Sequence, residues 1–185
     1  MTDTEIIDSV KAGNQQAFTL LLERYQERVF RMAMGFVHHK EEAEDLTQEI
    51  FIKVFQHLPR FSGDSAFATW LFRIAVNTGI NHVNRMKRRE WINLSAELFE
   101  SVFNRSSDDQ DPEQEMITNE RDEAVQKAID SLTDKQKKAF VLSKYDEMSQ
   151  SDIATIMEIS EGAVEQHLQR AKKNLQKKLS RTVGK

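Results

Sequence analysis

Arg73, Asn77, Asn81, Asn84, Arg85 and Arg88 share one stretch of the chain, and their amide and guanidinium groups suit nucleic acid. At 100° per residue they fall on one side of a helix, within about 60° of the direction set by Trp70. Leu71, Phe72, Ala75, Gly79, Val83 and Met86 gather on the other side. Asparagine competes with the helix backbone for hydrogen bonds, so a run of them in mid-helix calls for a reason outside the helix. Contact with base edges and phosphates supplies one. The preceding loop, Phe61-Ser62-Gly63-Asp64-Ser65, offers a ring for stacking, a glycine for close backbone approach and three hydrogen-bonding side chains. A ring beside a basic stripe is how proteins hold unpaired bases. Phe67 reads as plain core, while Phe61 and Trp70 fit either role.

A second constellation lies near the other end. Ser149–Met157, the turn Glu158-Ile159-Ser160 and the run from Glu161 have the spacing of a helix-turn-helix. Ile153, Ala154, Met157, Ile159, Val164 and Leu168 make its small apolar interior. The stripe Val164, Leu168, Ala171, Leu175 and Leu179 turns Gln166, Gln169, Arg170 and Lys173 outward. Glutamine pairs with adenine and arginine with guanine in a major groove. Glu165, at the edge of that face, either accepts from cytosine or repels phosphate. Ser160 and the amide-rich helix start suit a backbone phosphate.

A third face carries acid instead. Ala43, Leu46, Ile50, Val54 and Leu58 form an apolar stripe, opposite which stand Asp45, Gln48, Glu49 and Ile52. An isoleucine among acids and amides there suits a protein partner, not DNA. Catalysis has no such footing. His38, His39, His57, His82 and His167 are scattered without metal-ligand spacing, and there is no Gly-rich phosphate loop or nucleophile constellation. No metal or cofactor is expected.

The elements that must hold these faces are helices. Across 185 residues there are 6 Gly, 2 Pro and no Cys, which argues against tight-turned β structure and excludes disulfides and zinc–thiolate sites. A capping box at Thr2 and Glu5 opens the first helix and Gly13 ends it. Helical patterns follow over 17–37 and 41–58, with Pro59 as a stop, and then from the loop to about Arg89. Residues 91–111 break the pattern and read as a linker. Asp111, Pro112 and Gln114 form a start signal, Thr133 with Gln136 repeats the capping box, and Ser149 and Ser160 open the last two helices. Charge follows this division. Residues 60–89 are basic with Asp64 as the only acid, 90–123 are strongly acidic, and 170–185 are basic without any acid. The expected fold is all-α: an N-terminal helical bundle (1–90) and a C-terminal helix-turn-helix domain (112–185) joined by a flexible acidic linker (91–111). No apolar run is long enough to span a bilayer, and the acidic start is unlike a signal peptide, so a cytoplasmic protein is expected.

These residues resemble the extracytoplasmic-function class of bacterial sigma factors, the promoter-specificity subunits of RNA polymerase. The resemblance spans almost the whole chain. It is most specific at Glu44-Asp45-Leu46-Thr47-Gln48-Glu49-Ile50-Phe51, at Phe67-Ala68-Thr69-Trp70-Leu71-Phe72-Arg73-Ile74-Ala75-Val76-Asn77, and from Ser151-Asp152-Ile153-Ala154 through Gln169-Arg170-Ala171. It implies that Asp45, Leu46, Gln48, Glu49 and Ile52 bind the polymerase clamp. It implies further that Phe61, Ser62, Gly63, Asp64 and the Asn/Arg helix capture the melted −10 strand. Ser160, Glu165, Gln166, Gln169, Arg170 and Lys173 would read the −35 duplex from a domain docked on the polymerase flap, and an anti-sigma factor would restrain the protein. The family's usual Gly-Thr-Val at the recognition helix is Gly162-Ala163-Val164 here, which removes a phosphate-binding hydroxyl. A stand-alone helix-turn-helix regulator is the alternative; it leaves the Asn/Arg helix and the acidic face without a use.

Overall fold

A computed structural model describes residues 1–103 and 116–183. Helix α1 (Asp3–Lys11) begins where the capping box places it: the Glu5 amide donates to Thr2 Oγ1 at 3.3 Å, and the Thr2 amide donates to Glu5 Oε2 at 2.8 Å. Both donors would otherwise be orphaned at the helix start. Gly13, at φ +102°, turns the chain through a short 3-10 turn into α2 (Phe18–Val37). That helix stops at His38, which takes the left-handed conformation. Helix α3 (Lys40–His57) ends in a 3-10 turn holding Pro59, and α4 (Phe67–Phe103) follows the Phe61–Ser65 loop. The stripes expected of these helices meet in one core: Leu21, Val29, Met32 and Phe36 from α2, Leu46, Ile50 and Val54 from α3, Leu71, Phe72 and Ala75 from α4. Gly79 lets α2 and α4 close on each other. A Cβ there would lie 2.5 Å from the Phe36 ring.

Helix α4 does not stop near Arg89. It runs on to Phe103, so the first part of the expected linker is helix. No Gly or Pro occurs between Gly79 and Pro112, and Glu, Leu and Ala are good helix formers, so nothing local ends it. The start signal expected at Asp111, Pro112 and Gln114 lies outside the described residues.

The second unit consists of α5 (Met116–Asp130), α6 (Asp134–Tyr145), α7 (Gln150–Met157) and α8 (Glu161–Val183). Thr133 caps α6 reciprocally with Gln136, and Ser149 Oγ accepts from the Asp152 amide at 3.1 Å. The second unit packs against the first. Buried residues of α6 and α7, among them Val141, Leu142, Ile153 and Ile156, are continuous with the core of the first unit. The Tyr145 ring of α6 lies against Gly35 of α2, where a Cβ would approach it to 2.7 Å.

Candidate nucleic-acid interface

The helix-turn-helix is built as its residue pattern demands. Ile153, Ala154, Val164 and Ala171 are buried between α7 and α8, and Glu158 takes a left-handed conformation in the turn. Ser160 starts α8, its Oγ accepting from the Ala163 amide at 3.3 Å. Glu165, Gln166, Gln169, Arg170 and Lys173 are all exposed. Gln169 donates to Glu165 at 3.0 Å, so these two present a joined polar edge. Burial first, then neighbouring Lys135 and Arg170, hold the His167 imidazole below its ordinary value, so it is neutral at pH 7 and adds no charge to this face.

On α4 the wheel is right about which side faces out, and wrong about what is free. Asn77, Asn81, Asn84, Arg85 and Arg88 are exposed, with Arg73 half-buried. Yet Arg73 donates to the carbonyls of Thr155 (3.1 Å) and Ile156 (3.3 Å) and pairs with Glu158 at 2.9 Å. Lys138 donates to Asn77 Oδ1 at 2.6 Å, and Asn84 donates to Asp134 at 3.2 Å. The second unit therefore lies across part of this face. Arg85 turns the other way and reaches Glu49 at 3.2 Å.

Phe61 is not an open stacking platform. It is 9% exposed, packed on Trp70 and edge-on to Phe67 with ring centroids 5.0 and 6.0 Å away. Its apolar ring finds that aromatic floor on α4, and Lys11 holds the loop from outside by donating to the Phe61 carbonyl at 2.7 Å. What remains open beside the loop is a cavity of ≈ 220 Å³ between it and α1, which includes Ser62, Gly63, Thr4, Asp8 and Lys11. The sequence reading missed this contribution of α1, for nothing in its local pattern marks it.

The acidic face divides similarly. Asp45, Gln48 and Ile52 are exposed, Ile52 at 57%. Leu46 is fully buried, being part of the apolar stripe, and shapes this face from beneath. Glu49 is bonded to Lys53 at 2.8 Å and to Arg85. Burial raises its carboxyl pKa, but those two cations outweigh the effect and leave it below the ordinary value. Beside Ile52 runs an apolar cleft of ≈ 630 Å³ between α2 and α3, lined by Phe18, Leu22, Phe51 and Phe55 with Thr47, Gln48 and Gln56 at its rim. Exposed Phe55, one turn beyond Ile52, was the available signal for it.

The seam between the units is ionic. Asp146, its side chain 1% exposed, receives Arg28 at 2.5 Å and Arg31 at 3.3 Å, and the Arg28 guanidinium also stacks over the Phe72 ring at 4.4 Å. Lys137, almost wholly buried, donates to Asp130 at 2.5 Å and to the Phe36 carbonyl at 3.4 Å, while His38 Nε2 stands 3.5 Å from Asp130. Burial raises the Asp130 carboxyl, but His38 and Lys137 outweigh it and bring it down to about 2. For Lys137 burial wins, and its ammonium titrates below the ordinary lysine value despite Asp130. For such a pair the cost of desolvation offsets much of what the attraction contributes. Because Asp130 is depressed in the folded chain, its contribution is complete above the ordinary value of 3.8 and is lost as pH falls toward about 2. In an acid titration followed by circular dichroism, Asp130→Asn is expected to flatten the stability curve over that window. An unchanged curve would show that the pair does not form.

Two family matches and several relatives fit this architecture. Residues 21–89 match sigma-70 region 2, and residues 122–175 match sigma-70 region 4. The chain is 36% identical over 181 residues to the RNA polymerase sigma-H factor of Pseudomonas aeruginosa, covering 96% of this chain and 93% of that protein. It is likewise 36% identical over 183 residues to the ECF RNA polymerase sigma-E factor of Escherichia coli strain K12, covering 97% and 95%. Among solved structures, CnrH in complex with the cytosolic domain of CnrY superposes with a TM-score of 0.62 at 23% identity, covering 96% of this chain and 97% of that one. The sigma factor RpoE bound to the anti-sigma factor NepR, from Bartonella quintana, gives 0.55 at 23% identity over 88% and 96%. At that identity the two structures speak for the fold.

Proposed function

This chain belongs to the sigma-70 family, in the extracytoplasmic-function class, and from that membership we propose how it directs promoter-specific transcription initiation by core RNA polymerase. The observation that carries the reading is the order of regions 2 and 4 within one chain that aligns nearly end to end with curated sigma factors. The first unit seats on the polymerase clamp through Asp45, Gln48, Ile52 and the apolar cleft beside them, with Glu49 braced behind. Its loop, through Ser62, Gly63 and Asp64, and its α4 face, through Arg73, Asn77, Asn81, Asn84, Arg85 and Arg88, hold the melted −10 strand. The buried Phe61 ring shapes the loop. The second unit reads the −35 duplex with Gln166, Gln169 and Arg170 while Ser160 and Lys173 hold phosphate and Glu165 tunes the choice of base. It acts in the cytoplasm, without catalysis of its own, and is restrained by an anti-sigma factor.

Run-off transcription with purified core polymerase on a genomic promoter library tests this directly. Discrete start sites that depend on the chain are expected; none, or tight operator binding that ignores polymerase, would favour a stand-alone regulator. Within the −35 reader, Arg170→Ala is expected to cost about 1–3 kcal/mol of promoter binding by the holoenzyme. Footprinting that shows no loss would take Arg170 off the base-reading face.

A further inference from the structure

We propose that Trp91 is a further strand-binding residue, its indole stacking on a base at the end of the unpaired −10 strand farthest from the Phe61–Ser65 loop. The proposal rests on the assignment of the α4 polar face to single-stranded DNA made above, and it carries that site past Arg88.

Trp91 is 71% exposed, more than any other large apolar side chain among the described residues. Nothing between Gly79 and Pro112 breaks α4, so the side on which Trp91 stands follows from the residues before it. It comes eighteen residues after Arg73. At 3.6 residues per turn that is five whole turns, which returns it to the Arg73 side, with Asn77 and Asn84 within about 40° of the same line. At 1.5 Å per residue it lies about 10 Å beyond Asn84, the length of about three nucleotides at 3.4 Å each. Arg88, less than one turn back, is exposed and has no partner among the described residues. A phosphate held there leaves its base within reach of the indole. Trp70 is the contrast: half-buried, it packs its ring on Phe61 and Phe67 inside the fold. The Trp91 ring has no such contact among the described residues. An indole face stacks on any base, and the cations along this stripe suit a polyanion rather than an apolar protein groove.

The test uses holoenzyme assembled from core polymerase and the full chain. Its DNA is the unpaired strand of a start site located by run-off transcription, with the fluorescent base 2-aminopurine placed at each position in turn. One position at the end remote from the loop is expected to be quenched by stacking in the parent. Trp91→Ala is expected to brighten that position at least about twofold and to weaken strand binding roughly tenfold. Trp91→Phe, which keeps a stacking face, is expected to retain most of the quench and of the affinity. If Trp91→Ala binds as the parent does, or binds less tightly with no position brightened, Trp91 does not stack and the proposal is overturned. Asn81→Ala and Arg88→Ala separate this from the broader reading. A loss of strand binding in either, with Trp91→Ala silent, leaves the strand site on α4. No loss in all three takes the strand off α4, and the proposal falls with that assignment.

Discussion

A chain carrying Ile52→Asp is expected to lose about 3 kcal/mol of its hold on core RNA polymerase, roughly a hundredfold, while its helical circular dichroism persists. Ile52 is 57% exposed, so the folded chain gives up little packing. On docking, the new carboxylate would be covered by the partner at the edge of the apolar cleft of Phe18, Leu22, Phe51 and Phe55, where a charge without a partner is costly. Asp45→Lys, at an exposed position, tests the neighbouring acidic rim. Glu49→Lys is a poorer probe. That carboxylate bonds Lys53 and Arg85, so reversing its charge also disturbs the contact of α3 with α4. Titration of core enzyme with labelled chain gives the answer, and binding unaffected by Ile52→Asp would move the docking surface off this cleft.

Phe36→Ala is expected to destabilise the chain by about 3–5 kcal/mol, the usual cost of removing a buried phenyl ring. Phe36 is 2% exposed, and its ring fills the space that Gly79 leaves between α2 and α4. Domains are stable by only about 5–15 kcal/mol, so the variant should unfold at a much lower urea concentration. The opposite change at the same contact, Gly79→Ala, forces a Cβ to within 2.5 Å of the ring and is expected to cost about 1–3 kcal/mol by overpacking. Urea midpoints for the two variants measure both sides of one contact. A loss under about 1 kcal/mol for Phe36→Ala would mean that the site collapses around the cavity and the packing is looser than described.

Much of the architecture was legible because it is local. Capping boxes at Thr2 and Thr133, the stop at Pro59 and apolar stripes at steps of three and four are decided within a few residues, and the structure has each of them. The end of α4 was misread because the polar composition after Arg89 resembled a linker, although no residue there breaks a helix. The burial of the Leu46 and Phe61 side chains was not legible for a different reason. A motif or a loop position says that a residue matters, but not whether its side chain points to a partner or into the core.

The sequence alone determined the helices, the two regions with their order and the outward-facing residues of α8, because those follow from periodicity, caps and spacing along a short stretch. Which of the outward groups on α4 remain open was decided only by tertiary structure. Arg28 and Asp146 stand 118 residues apart, and Arg73 and Ile156 83 apart. Contacts at such separations depend on how whole helices pack, and an ion pair across them leaves no mark on the local pattern of either partner.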